Sequence, residues 1–215
     1  MVRALIIVLA SALAFSATTS LARAQDRDAA VRALSRADPQ SRREAASRLG
    51  DVGTMADVAP LVQSLRDADA KTRELAEQAI WEIWARSGDA EIDALYRIGV
   101  AQMAAGDLQE SIATFTCIIQ RKPEFAEGWN KRATLYFLAG DLLKSLADCD
   151  EVMKRNPYHF GALSGYAQIY ARLEYFDRAL EYSRRALTIN PNLEGVRRNM
   201  ELIERAMEER RRQSI

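Results

Sequence analysis

Three prolines stand at equal intervals along the chain: Pro123, Pro157 and Pro191, each 34 residues from the next. A period of that length leaves room for two short helices per repeat. It restricts the chain to a stacked helical repeat, in which each helix pair buries its apolar side against its neighbours. The residues between the prolines recur as well. With the proline as position 32, the fourth position is Leu95, Trp129 and Leu163, and the eighth is Gly99, Ala133 and Ala167. The eleventh is Gln102, Tyr136 and Tyr170, and the twentieth is Ser111, Ser145 and Ala179. Gly106-Asp107, Gly140-Asp141 and Glu174-Tyr175 mark the turn inside each repeat, again 34 residues apart.

This order, a bulky residue, then small, then aromatic, then small, closed by proline, resembles the tetratricopeptide repeat (TPR) over about residues 92–191. Arg132 stands where the pattern has leucine, Cys149 and Ser183 where it has an aromatic, and Ile118 and Val152 where it has alanine. These departures predict a looser second repeat. After Pro191, the spacing of Leu193, Val196, Met200, Ile203 and Met207 predicts one amphipathic helix that caps the stack. The charged end Glu208–Arg212 is expected to fray.

A second period precedes the first. Leu34, Asp38, Arg42, Ala45 and Leu49 return 31 residues later as Leu65, Asp69, Arg73, Ala76 and Ile80. The pattern predicts helices near 26–36, 39–49, 55–66 and 70–86, with Asp38 capping Pro39 and Gly50 stopping the second helix. The segment resembles short HEAT-type repeats. In that family the aspartate and arginine tie each inter-helix turn to the next unit, which is the role the resemblance implies for Asp38/Arg42 and Asp69/Arg73. Trp81 and Trp84 share a helix face and read either as an anchoring surface or as a plug where the two repeat types meet.

The chain opens on a short basic start, the apolar run Ala4–Phe15 and the small-residue signature Ala22-Arg23-Ala24. This is the layout of a secretory signal peptide cleaved after Ala24. The apolar run falls short of the ~20 residues a membrane span needs. The expected organisation is a signal peptide over 1–24, HEAT-like pairs over 25–88, three tetratricopeptide units over 89–191, and a capping helix with a charged tail over 192–215. Together these form an all-α, right-handed α-solenoid in the periplasm, touching membranes only indirectly. The resemblance is to exported bacterial proteins of this type. With 30 basic and 30 acidic residues, the chain lacks the basic excess of a nucleic-acid binder.

Chemistry is sparse. His159 is the single histidine and is expected in an exposed turn after Pro157. The two cysteines, Cys117 and Cys149, have no metal-ligand spacing, and neither a phosphate loop nor a dinucleotide motif occurs. No cofactor or catalytic set is expected, which leaves a hydrolase with an unrecognised site as the weakest reading and an envelope-assembly component as an alternative. Cys117 and Cys149 lie out of register in neighbouring repeats and are expected as free thiols. By the resemblance, the first helix of each repeat lines a groove for a peptide or helical segment of a protein partner. That implies a binding set of Tyr96, Val100, Met103, Asn130, Thr134, Phe137, Gln168 and Arg172, with Tyr96 and Phe137 as anchors. The residues that clamp a terminal carboxylate in chaperone-binding members are replaced by Tyr96, Val100, Gly161 and Gly165.

Overall fold

The computed structural model describes residues 22–213 of the chain. The apolar run Ala4–Phe15 lies outside the described residues. Every described element is helical. The chain divides into two units, the first ending at Ile83 and the second beginning at Trp84.

The first unit contains α1 (22–33), α2 (Pro39–Val52), a 3-10 turn (Met55–Asp57) leading into α3 (Val58–Ser64), and α4 (Ala70–Trp84), whose last residue falls in the second unit. Asp38 caps α2 by accepting from the Ser41 amide at 2.8 Å, and Asp69 caps α4 by accepting from the Thr72 amide at 2.8 Å. The arginines act between turns. Arg42 donates to the Arg36 and Ala37 carbonyls of its own turn and forms a two-pronged pair with Asp67 of the next, at 2.7 and 2.8 Å. Arg43 grips Asp69 in the same way, at 2.8 and 2.6 Å. Asp38 therefore caps its helix, and the partner of Arg42 is Asp67 and not Asp38.

Gly50 does not stop α2. The helix continues to Val52, and Gly50 lies buried where a Cβ would run into the Glu82 carboxylate of α4, so the absence of a side chain leaves that carboxylate its place. Leu49, Leu61, Leu65 and Ile80 form the fully buried core of this unit.

The second unit is three helix pairs and a final helix. The pairs are α5 (Ala90–Ala105) with α6 (Leu108–Arg121), α7 (Ala126–Ala139) with α8 (Leu142–Arg155), and α9 (Phe160–Arg172) with α10 (Phe176–Ile189). Each second helix packs on the next first helix, and α10 packs on α11 (Glu194–Gln213). Lys122, Asn156 and Asn190 precede the three prolines and leave helical backbone, with φ of −142°, −140° and −118°, because proline's ring disfavours the helical conformation before it. Where the helices of a pair cross, Ser111 Oγ donates to the Gly99 carbonyl at 2.9 Å and Ser145 Oγ to the Ala133 carbonyl at 2.7 Å. The first two intra-repeat turns end on left-handed glycines, Gly106 (φ 84°) and Gly140 (φ 85°). The third places Glu174 there (φ 62°), a conformation a side chain adopts at a cost.

Two expectations about this unit change. Arg132 does not loosen the second repeat, because it forms a two-pronged pair with buried Asp148, both bonds at 2.8 Å. The charged end is helical as far as Gln213, and Arg210 pairs with Glu174 at 2.7 Å while its guanidinium lies 4.8 Å from the Phe176 ring centre. Ile203 of α11 is buried against Ala179 and Leu180, as a helix closing the last pair requires.

Candidate functional site

Both helices of the second and third repeats and the final helix line two adjoining clefts, with Ser145 and Cys149 coming from α8 and Ser183 from α10. The larger, about 310 Å³, is lined by Phe137 of α7, by Ser164, Ala167, Gln168 and Ala171 of α9, and by Val196, Asn199, Leu202 and Ile203 of α11. The smaller, about 100 Å³, lies between α7 and α9, among Asn130, Ala133, Thr134, Gly161, Gly165, Cys149 and Ile169. Phe137 and Gln168 line both. Leu202 is 60% exposed at the edge of the larger cleft. Arg172 places its guanidinium 5.5 Å from the Phe137 ring centre and donates to the Phe137 carbonyl.

Of the residues expected to line a groove, Asn130, Thr134, Phe137 and Gln168 come together in these clefts, with Arg172 against Phe137. The three from the first repeat do not line them. Tyr96 turns its ring edge-on to Phe115 and Phe125 in a core cluster that Met103 also joins, and Val100 is exposed beside them in sequence. The wall supplied by α11 is the part of the site that sequence reasoning misses. The repeat pattern marks this helix only as a cap, yet the spacing of Val196, Asn199 and Ile203 already places these residues on one side.

Behind the clefts is a buried polar network that the sequence does not announce. His159 is fully buried and not in an exposed turn. Its Nδ1 accepts from the Ala162 amide at 3.0 Å, capping α9, so Nε2 carries the hydrogen and donates to Glu127 Oε2 at 2.9 Å. The same carboxylate accepts from Asn130 Nδ2 at 3.1 and 3.2 Å and pairs with Lys131 Nζ at 3.1 Å. The Tyr96 hydroxyl stands 3.5 Å from it. Burial alone would push the Glu127 carboxyl up, but the His159 hydrogen bond and the Lys131 charge hold it below its ordinary value. Trp84 is buried and stacks on the His159 imidazole, ring centres 4.3 Å apart, which makes it a packing residue; Trp81 is half-buried. Desolvation and the neighbouring Glu127 charge push the Tyr96 hydroxyl well above its ordinary value.

This network is structural. His159 has no surface from which to reach a substrate, and both its ring nitrogens are committed. Among the described residues, no group of three His, Cys, Asp or Glu side chains is placed to hold a metal ion. Cys117 and Cys149 are free thiols, and burial pushes the Cys149 thiol up to about 12. No described helix is long and apolar enough to cross a membrane.

Comparison with known proteins agrees with this geometry. Residues 161–193 match the family model described as "Tetratricopeptide repeat". A TPR repeat-containing protein of Rhizobium etli is 38% identical over 104 residues, covering 48% of this chain. The chain spans about half the length of that relative, 50%. Among solved structures, the Sgt2 TPR domain from Aspergillus fumigatus superimposes with a TM-score of 0.55 at 22% identity, over 58% of this chain and 83% of that domain. The first TPR of Spaghetti (RPAP3), solved with the HSP90 peptide SRMEEVD, gives 0.54 at 21% identity, over 56% and 96%. The chain is an all-α helical-repeat protein that contains a tetratricopeptide repeat, its helices paired in a TPR-like arrangement and followed by a C-terminal helix.

Proposed function

We propose that this protein is a non-catalytic interaction scaffold that holds an extended peptide or helical segment of a partner protein in the paired clefts of its second unit. The observation that carries this reading is the cleft itself. It combines an apolar floor and the Phe137 ring with Gln168 and Asn199, whose amides can bond a peptide backbone. One protein of similar fold was solved holding a peptide. Neither the cleft nor the network behind it offers an accessible general base or nucleophile with one.

The finer architecture follows the same reading. The first unit is two HEAT-like pairs, a view supported by the Arg42–Asp67 and Arg43–Asp69 bonds between successive turns. The second unit is three tetratricopeptide repeats of a right-handed solenoid. Export to the periplasm rests on the apolar run Ala4–Phe15 and the Ala22-Arg23-Ala24 signature. Mass spectrometry of the protein recovered from the periplasmic fraction should find Gln25 as its first residue; an intact Met1 in that fraction contradicts cleavage.

A photoreactive amino acid at Gln168 should crosslink the partner in cells, whereas one at Leu143, 77% exposed and away from the clefts, should not. Phe137→Ala should reduce the Gln168 crosslink at least tenfold with helicity unchanged. Equal crosslinking from both positions, or none lost on Phe137→Ala, refutes the cleft as the binding site.

A further inference from the structure

The smaller cleft has an unusual floor, and it bears on what the groove reads in a partner. Gly165 lies in the interior of α9, where glycine weakens a helix relative to alanine. At another position in this unit packing does demand glycine. At Gly99 a Cβ would come within 2.8 Å of the Phe115 ring, so no larger residue fits the helix crossing. At Gly165 a Cβ would meet only Cys149 Sγ, at 3.5 Å, an ordinary contact. The fold therefore tolerates a side chain at Gly165, and what its absence leaves is the opening between α7 and α9, with Gly161 one turn away. The volume left, about 100 Å³, is roughly three times the ~30 Å³ share of one water molecule, room for three or four carbon atoms.

The lining selects what enters. In a chain that is 28% charged, neither cleft is lined by a single Asp, Glu, Lys or Arg. The hydroxyls of the small cleft are committed inward, Ser145 to the Ala133 carbonyl and Thr134 to the Asn130 carbonyl, and the Asn130 amide nitrogen is committed to Glu127. Its apolar lining is Phe137 with the buried Ala133, Cys149 and Ile169, and the Gln168 amide is the polar side chain beside them. An ionised side chain placed there would lose its hydration without gaining a counter-charge.

Resting on the peptide-binding reading above, we infer that the groove recognises an uncharged, extended peptide segment with two apolar anchors. A valine- or leucine-sized side chain enters the small cleft over Gly161 and Gly165, and a second apolar side chain enters the larger cleft beyond Phe137 and Gln168. Gly165 is the specificity-determining position, because it sets the depth of the first cleft without being required by the helix packing.

The full chain is used to select from a phage library of random heptapeptides, and the selected peptides are synthesised with glycine, alanine, valine, leucine or glutamate at the anchor position. Fluorescence anisotropy should show affinity rising at least tenfold from glycine to leucine and falling below detection for glutamate. Gly165→Leu should reverse that order, favouring glycine and alanine anchors. Gly165→Ala should shift it partway, with circular dichroism confirming that both variants keep their helices. A reversed preference cannot come from misfolding. Failure to select any peptide, or selection of peptides that bind Phe137→Ala equally well, overturns both the groove reading and this inference. Peptides that need Phe137 but show the same anchor preference with leucine at position 165, or a preference for acidic residues, overturn the inference and leave the groove reading standing.

Discussion

The second and third repeats fill the same slot between their paired helices with opposite chemistry. In the second, Arg132 of α7 reaches Asp148 of α8 through two bonds of 2.8 Å, lies over the Trp129 and Tyr136 rings, and donates to Thr116 at 3.1 Å. Thirty-four residues on, the equivalents are Tyr166 and Tyr182, stacked with ring centres 4.4 Å apart, and the Tyr166 hydroxyl donates to Asp150. The repeat fixes where two side chains must meet. It does not fix whether they meet as ions or as rings. The two solutions differ in how they fail: an ion pair depends on both members, whereas stacked rings depend on area.

The largest expected effect comes from removing one ion. Asp148→Ala strands the Arg132 guanidinium in a largely buried site and should cost about 3–5 kcal/mol, measured by urea unfolding of the full chain. The sharper test transplants the third repeat's answer into the second. Arg132→Tyr with Asp148→Tyr removes the stranded charge and should recover about 2 kcal/mol over Asp148→Ala, since hydrophobic packing commonly replaces a buried ion pair at little loss. A double variant no better than the single would show that the slot does require charge.

Acid separates the repeats in another way. Glu127 is held below its ordinary value of 4.5, so the stability it contributes is present above about pH 4.5 and is lost as the pH falls through its lower folded value. Glu127→Gln should cost about 1.5–3 kcal/mol at pH 7, the range for hydrogen bonds to a charged group, and the deficit should shrink below pH 4.5. Hydrogen exchange should show α7 losing protection in acid before α10. A deficit that is constant with pH would mean that the carboxylate charge is irrelevant. The smallest effect concerns the turns: Glu174→Gly, matching Gly106 and Gly140, should stabilise by up to about 1 kcal/mol, offset in part by the lost Arg210 contact. A loss of thermal stability would show that the Arg210 contact outweighs the backbone cost.

The helix pairing and the turns are legible in the sequence because they follow from a period, and a period survives translation into structure residue by residue. The crossing serines and alanines at positions eight and twenty are such cases. Contacts between different positions of neighbouring repeats are not legible. Glu127 and His159 are 32 residues apart, and only the stacking of α7 against the start of α9 brings them together, so a lone histidine after a proline reads as a turn residue. Arg42 ties its turn to the next one as the resemblance implies, but its partner is not legible, because Asp67 is 25 residues ahead whereas the repeat offset is 31. Half of the groove is readable, since Asn130, Thr134, Phe137 and Gln168 occupy recurring positions. The wall supplied by α11 has no counterpart earlier in the chain.

The serine-to-carbonyl bond at the helix crossing recurs with a fixed offset of 12 residues in the first two repeats, and the Glu127–His159 contact closes within one period. A duplicate of Ala126–His159 inserted after His159 would therefore carry its own crossing bond, its own acid and its own imidazole, and would return the chain to Phe160 in register. Length in this molecule is in that sense an adjustable quantity, open to gene duplication or to an engineer, and each added block would extend the stack by one more pair of helices.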